Sequence, residues 1–373
     1  MPNLLGLDDC SIVCTDPSGE LHEKTSGYLK SRGFEVKVLN LADPAYSFGF
    51  NPLARANSYT EIDKLSEVIM RAGHPVVKSG EEIWVNEPQS LLTVLISCLK
   101  NTGEPEWQNL HNLLFLLQQF GADGGPLKEF VRNNAPDDGG RTLNQFISFC
   151  NGHEKMLSSF LTMARNALKI LNNPKIAKMM AHDEFDFDEI RRRKTVIYII
   201  APETDAKHYS FIINLFYTQL FERLKQSQYL TDGLAVHCLL DEFGHTAIPD
   251  FATVVTTIRK YRVSLSLVLQ NYQQLKKQYG DDAETIFSGG CRTRLVYSGL
   301  DVETSKMVQE MLGKVVVEQK NSGTKHRRED NLMNADQIRR IDENQALCVS
   351  SNRPPVLLDT AVSYTHLTLP TKA

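Results

Sequence analysis

Six short apolar runs along the chain are bounded by Gly, Pro or Asp: residues 11–15, 35–39, 195–200, 235–240, 263–269 and 292–297. Their richness in Val, Ile and Leu predicts buried β-strands. Several do not alternate between apolar and polar positions, which is how a strand reads when helices cover both of its faces. The pattern therefore predicts a mostly parallel sheet in an α/β fold.

Between the second and third runs the apolar period lengthens to that of helices. Glu87-Pro88 predicts a helix start, with Pro88 in the first turn, where its missing N–H leaves nothing unpaired, and Leu91, Leu92, Leu95 and Leu99 following. A second helix is expected over 107–120, with Leu110, Leu113, Leu114 and Leu117 on one stripe, and others around 142–150 and 154–171. Turn-rich stretches at 121–126 and 133–140 separate them. This predicts an all-α domain, residues 55–185, inserted into an α/β domain made of residues 1–54 and 186–361. No internal repeat or heptad pattern is visible.

Composition narrows the class without naming a function. Of 373 residues, 42% are hydrophobic and 23% charged, which supports a packed core and excludes disordered, collagenous and low-complexity classes. A net charge of -4, from 41 Lys+Arg against 45 Asp+Glu, gives no global basic field. Any nucleic-acid contact must come from local patches or from charge arranged by oligomerisation. The seven cysteines are scattered, with no zinc-like spacing, and read as reduced thiols. No stretch reaches the roughly 18 apolar residues of a membrane span, and Met1-Pro2-Asn3 opens no secretory signal, so the chain as written is expected to be soluble and cytoplasmic.

In open parallel sheets ligands bind beyond the carboxyl ends of the strands. The first strand runs into Asp16, the fourth into Asp241-Glu242 and the fifth into Gln270, so Asp16, Asp241 and Gln270 are expected to face a cofactor in one crevice. An apolar strand delivering Asp241-Glu242 has the pattern of a Walker B strand. In that chemistry Asp241 holds Mg²⁺ through its water shell, and Glu242 orients or deprotonates the water that attacks a γ-phosphate. A solvated loop start fits this motif equally well. Gln270 is either a sensor of the γ-phosphate or a surface amide. Arg259 is either part of a solvated helix end or an arginine finger acting across a subunit interface. Residues 49–53 read as a turn without chemistry, His245 as a loop residue, and Lys325-His326-Arg327-Arg328 as a polar loop that serves solubility or meets a phosphate backbone.

Taken together, the segments MPNLL (1–5), TDPSGEL (15–21), FNPLA (50–54), LLDEFGHTAIPDF (239–251), TIRKYRVSLSLVLQNYQQLKKQYG (257–280) and GLDVETSKMVQEMLGK (299–314) resemble the conjugative coupling proteins of type IV secretion systems. These form the TraG/TraD class of hexameric, RecA-like DNA-translocating ATPases. The resemblance implies a RecA-like, P-loop-type nucleotide-binding domain with an inserted all-α domain, and ATP and Mg²⁺ as cofactors. It implies Asp241 and Glu242 as the Walker B pair, Gln270 as the reporter of nucleotide state and Arg259 as the interfacial arginine. The implied partners are DNA, single- or double-stranded and gripped by its backbone, a relaxase or relaxosome met through residues 55–185, the secretion channel, and five further copies of the chain. The intact protein would be anchored in the inner membrane with its ATPase domain in the cytoplasm.

Two departures qualify this expectation. No Gly-x-x-x-x-Gly-Lys-[Ser/Thr] loop occurs in the chain, and Ser18 stands where many members have Lys. In the family the loop lies just upstream of the segment matching residues 1–5, after the membrane helices, so Met1 is expected to be internal and the fragment inactive by itself. Residues 362–373 (VSYTHLTLPTKA) read as a translated linker outside the fold. The alternative function is a non-hydrolytic receptor or adaptor for relaxase or effector proteins. A chromosome-partitioning translocase fits the order of segments less well.

Overall fold

The structure is a computed structural model that describes residues 2–73, 83–121, 123–226, 228, 231–245, 247–321, 324–350 and 352–360. Five of the six expected strands pair in parallel: β1 (Cys10–Asp16), β2 (Glu35–Asn40), β3 (Thr195–Ile200), β4 (Ala235–Leu240) and β5 (Val263–Leu267), in the order β2-β3-β1-β4-β5. All six residues of β3 are buried, as are all of β1 except Thr15, which is why neither strand alternates. The chain leaves β1 towards the β2 edge and leaves β4 towards the β5 edge. Connections thus diverge between the adjacent strands β1 and β4, and a crevice opens at their carboxyl ends.

The sixth run departs from expectation. β6 (Thr293–Val296) stands outside the parallel sheet and is followed by a two-stranded antiparallel ribbon, β7 (Lys314–Asn321) and β8 (Thr324–Asn331), and then by β9 (Gln345–Ser350) and β10 (Val356–Asp359). β9 pairs antiparallel with both β6 and β10. Only one face of this small sheet is covered: Val296, Leu347 and Val349 pack with Val308 and Ile338, while Leu295 stays 53% and Tyr297 52% exposed. The basic run 325–328, expected in a loop, lies on β8. Residues 314–317 of β7 and 327–330 of β8 are exposed, and β8 carries no apolar position that could mark it as a strand.

Helices cover both faces of the parallel sheet. On one side, α1 (Pro2–Gly6) and α2 (Glu20–Ser31) bury Leu4 and Leu29 against Ile12, Val196 and Tyr198. On the other, the chain between β2 and β3 forms α3 (Tyr59–Gly73), α4 (Ile83–Lys100), α5 (Leu110–Gln118), α6 (Gly125–Asn134), α7 (Arg141–Cys150), α8 (Glu154–Ala167), α9 (Pro174–Met179) and α10 (Glu189–Arg192). α4 is buried from Leu91 to Leu99 because α3, α5, α7 and α8 all pack around it. Pro88 lies inside α4 rather than in its first turn, so the carbonyl of Trp84 lacks its helical donor. α5 keeps the expected buried stripe but starts later, where the Asn109 side chain accepts the Asn112 N–H at 2.9 Å. The expected 154–171 helix is split into α8 and a 3₁₀ turn at Lys169–Asn172. α3 and α6 arise where no helix was predicted; in α6 Pro126 occupies the first turn, where a proline is tolerated.

The helical segment leaves and re-enters the α/β part at one clamp. The Gly49 N–H donates to Glu184 Oε2 at 2.7 Å, the Asn51 N–H donates to Asp183 Oδ1 at 3.1 Å, and Arg55 pairs with Asp183 at 2.8 Å. Asn51 also donates from Nδ2 to the Gln108 carbonyl at 2.7 Å. Residues 49–55 therefore fasten both ends of the segment. After β3, α11 (Ala206–Leu224) lies against both the sheet and α3, and residues 211–217 are all buried. One continuous apolar core joins Val13 and Cys238 of the sheet, Phe216 of α11, Ile69 of α3 and Leu95 of α4. The remaining helices are α12 (Phe251–Thr257), α13 (Tyr272–Tyr279), α14 (Asp282–Glu284), which runs into a π-helical turn at Thr285–Gly290, α15 (Val302–Leu312) and α16 (Ala335–Arg339). Among the described residues no helix is long and apolar enough to cross a membrane.

Candidate active site at the strand ends

β4 delivers Asp241 and Glu242 into the crevice beside β1. The position of Glu242 is fixed from both sides. Thr15, at the end of β1, donates its hydroxyl to the Asp241 carbonyl at 3.0 Å. The Phe243 N–H then donates to the Val268 carbonyl, and the Val268 N–H to the Leu240 carbonyl, each at 3.0 Å. The Phe243 ring stacks on Tyr279 at 5.4 Å and meets Phe251 at 4.6 Å. Between these anchors the backbone of Glu242 adopts φ +52°, a left-handed conformation that a non-glycine residue enters at a cost of about 1–2 kcal/mol. Its N–H donates to Asp241 Oδ1 at 3.2 Å. Strain of this kind persists only where its surroundings over-determine it, and functional sites are where it collects.

Gln270, beyond β5, places its Nε2 3.3 Å from each carboxylate oxygen of Glu242. Asp241, Glu242 and Gln270 are thus brought together by two adjacent parallel strands, as the sequence predicts. Asp16 is placed differently. It is fully buried, and its carboxylate accepts the N–H groups of Leu21 at 3.2 Å and His22 at 2.8 Å. These are donors that the first turn of α2 cannot pair internally. Where the sequence predicts a cofactor contact, the structure has a carboxylate that fixes the loop 17–20 at the rim of the crevice.

Arg259 lies at the other end of the sheet. It is exposed on the 3₁₀ turn Ile258–Tyr261 that precedes β5, and the Val236 N–H at the start of β4 donates to the Arg262 carbonyl in that same turn. The length of β5, five residues or about 17 Å, separates it from Gln270. Arg259 therefore does not join the site of its own chain. Of the weaker candidates, His245 follows Phe243 in a short 3₁₀ turn.

Two residues of the site escaped the sequence reading. Thr15 reads only as the last residue of an apolar strand, and Gln274 is not singled out at all; only the fold shows their partners. Among the described residues no cluster of three His, Cys, Asp or Glu side chains forms a metal cage. A pair of adjacent carboxylates at a strand end fits Mg²⁺, which keeps several waters and draws its other ligands from bound phosphates.

A parallel sheet with helices on both faces, delivering an acidic pair and a glutamine from neighbouring strand ends, defines a RecA-like α/β fold with an associated helical region. Residues 1–371 match the family described as type IV secretory system conjugative DNA transfer, and the chain belongs to that family. It is 22% identical to the protein VirD4 of Rhizobium radiobacter over 381 residues, covering 96% of this chain and 54% of that protein. To VirD4 of Agrobacterium fabrum it is 21% identical over 370 residues, covering 93% and 54%. The chain spans about half the length of these curated relatives. Among solved structures it resembles the bacterial conjugative coupling protein TrwBdeltaN70 in an unbound form, with TM-score 0.67, 16% identity, and 95% of this chain against 85% of that one. The plasmid coupling protein TrwB in complex with ADP and Mg²⁺ gives TM-score 0.67 at 15% identity, with 95% and 86% covered. At these identities the structural likeness establishes the fold.

Proposed function

We propose that the chain is the ATP-hydrolysing motor part of a hexameric coupling protein that links a relaxosome and its DNA to a type IV secretion channel. The observation that carries this reading is the contact of the Gln270 amide with the Glu242 carboxylate beside Asp241. That grouping of two carboxylates and an amide supports a role in orienting the water that attacks a nucleoside triphosphate. The family membership and the existence of TrwB structures in complex with ADP and Mg²⁺ and with a non-hydrolysable ATP analogue support it.

In this reading Asp241 would hold Mg²⁺, which when bound would neutralise phosphate charge. Glu242 orients the attacking water and accepts its proton. Gln270 reports whether the terminal phosphate is present, and Asp16 acts only by holding the rim loop. Arg259, a strand length away, serves the nucleotide of a neighbouring subunit. The sheet, residues 1–54 and 186–361, is the motor. The helical segment, residues 55–185, meets the relaxosome, and DNA is gripped by its backbone in the pore of the ring. The intact protein is held at the inner membrane with the motor in the cytoplasm.

The test is Glu242→Gln in the full-length protein. The amide keeps the shape of the site but cannot take a proton, so nucleotide binding should survive and hydrolysis should not. Undiminished hydrolysis by the variant would overturn the assignment of Glu242, and an unmodified protein that hydrolyses no ATP would favour the non-hydrolytic receptor instead.

A further inference from the structure

Gln270 is exposed, and an exposed glutamine is free to turn its amide either way. In this structure its direction is imposed by Gln274, in the first turn of α13. The Gln270 N–H donates to Gln274 Oε1 at 3.3 Å, which fixes the orientation of the Gln274 amide. Its Nε2 is thereby left to donate to Gln270 Oε1, at 3.2 Å. With Oε1 so engaged, the Nε2 of Gln270 faces the Glu242 carboxylate, which can only accept. Each donor in this relay sets the polarity of the next.

The loop that carries Glu242 is shaped to receive Gln274. A Cβ added at Gly244 would lie 2.6 Å from Gln274 Oε1 and 2.7 Å from its Cβ, so only glycine lets the two segments approach this closely. The backbone of Gln274 is fixed as well: its N–H donates to the Asn271 side chain at 2.9 Å, capping α13. Two turns along α13, Gln278 donates to the Gly244 carbonyl at 3.1 Å, and the Ile248 N–H donates to the Tyr279 hydroxyl at 3.0 Å.

We propose that Gln274 is a positioning residue that aims the Gln270 amide at Glu242, with Gly244 as the steric seat that admits it. This rests on the reading of Glu242 and Gln270 as parts of a hydrolytic site. The experiment is a double-mutant cycle on the full-length protein, with kcat, KM for Mg-ATP, binding of a fluorescent ATP analogue and thermal melting measured for each variant.

Gln274→Met keeps the volume and removes both hydrogen bonds. It is expected to lower kcat roughly 10- to 100-fold, the scale of a misaimed catalytic group, with analogue binding and melting unchanged. Added to Gln270→Ala it should cause no further loss, since the group it aims is already gone. Gly244→Ala, which leaves the sequence of α13 unchanged but pushes Gln274 from its seat, should reproduce the Gln274→Met defect and be non-additive with it. If Gln274→Met lowers kcat by the same factor with and without Gln270, or not at all while Gln270→Ala does, the positioning role is overturned and the site reading stands. If Gln270→Ala itself leaves kcat unchanged, both fail.

Discussion

The Gln270 amide nitrogen lies 3.3 Å from both carboxylate oxygens of Glu242, although 28 residues of chain separate them. Parallel pairing of β4 with β5 makes this possible: Leu240 stands opposite Leu267, so the residues that leave the two strands emerge side by side. The Val268–Leu240 and Phe243–Val268 backbone bonds carry that pairing past the strand ends. Glu242 is strained into position, and the strain has a measurable consequence.

Replacing Glu242 by Gly removes the left-handed penalty at φ +52°. That relief exceeds the added freedom of glycine in the unfolded chain, so the variant should be more stable by roughly 0.5 kcal/mol or more while losing hydrolysis. Urea unfolding checks this; a destabilised Glu242→Gly protein would mean the conformation carries no strain.

Arg191 is buried and donates to three carbonyls, those of Leu234 at 2.8 Å, Tyr261 at 2.7 Å and Leu224 at 3.4 Å. It ties the end of α11 to the starts of β4 and β5. Arg191→Met should destabilise the fold by about 3–5 kcal/mol by leaving buried acceptors unpaired. Arg191→Lys should recover little, because an ammonium cannot span the same fork. A shift below 1 kcal/mol in either variant, read from denaturant midpoints, would contradict this.

α3 and α8 approach so closely at Gly73 that an added Cβ would lie 2.6 Å from the Cα of Ala167. Gly73→Ala should therefore cost about 1–3 kcal/mol through overpacking, despite the better helix propensity of alanine. Differential scanning calorimetry would show a lowered melting temperature; an unchanged one would place the helices further apart.

Burial pushes the Cys98 and Cys238 thiols from 9.0 up to about 12. The shift is upward, so the stability it contributes is complete below the unfolded value near 9.0. As pH rises from there towards 12, the unfolded thiols ionise while the folded ones cannot. Unfolding free energy should fall between pH 8 and pH 10, and Cys238→Ala should flatten that slope. An identical slope in the variant would show that Cys238 does not contribute.

The parallel sheet was legible because burial of β1 and β3 on both faces leaves nearly uninterrupted apolar runs, and the strand-end groups because the apolar residues of β4 and β5 give way abruptly to Asp241-Glu242 and Gln270. The β7–β8 ribbon was not, because Thr324–Asn331 is polar at every position and so shows no apolar alternation, although its backbone pairs with β7 throughout. Pro88 misled in the opposite sense: it is common in first turns, yet here tertiary packing around α4 overrides its local preference. The burial of Asp16 and the relay through Gln274 depend on contacts between segments that sequence spacing does not reveal. Arg259 is the sharpest case, since its identity was readable but its distance from the site was not.

The most direct measurement is ATP turnover by full-length protein carrying Glu242→Gln, made alongside binding of a fluorescent ATP analogue in the same preparation. The account predicts a loss of kcat of roughly 10²- to 10⁴-fold, the scale of a lost general base, with analogue affinity retained. Turnover within a factor of about two of the unmodified protein, well below that scale, would contradict the assignment of Glu242 and with it the motor reading.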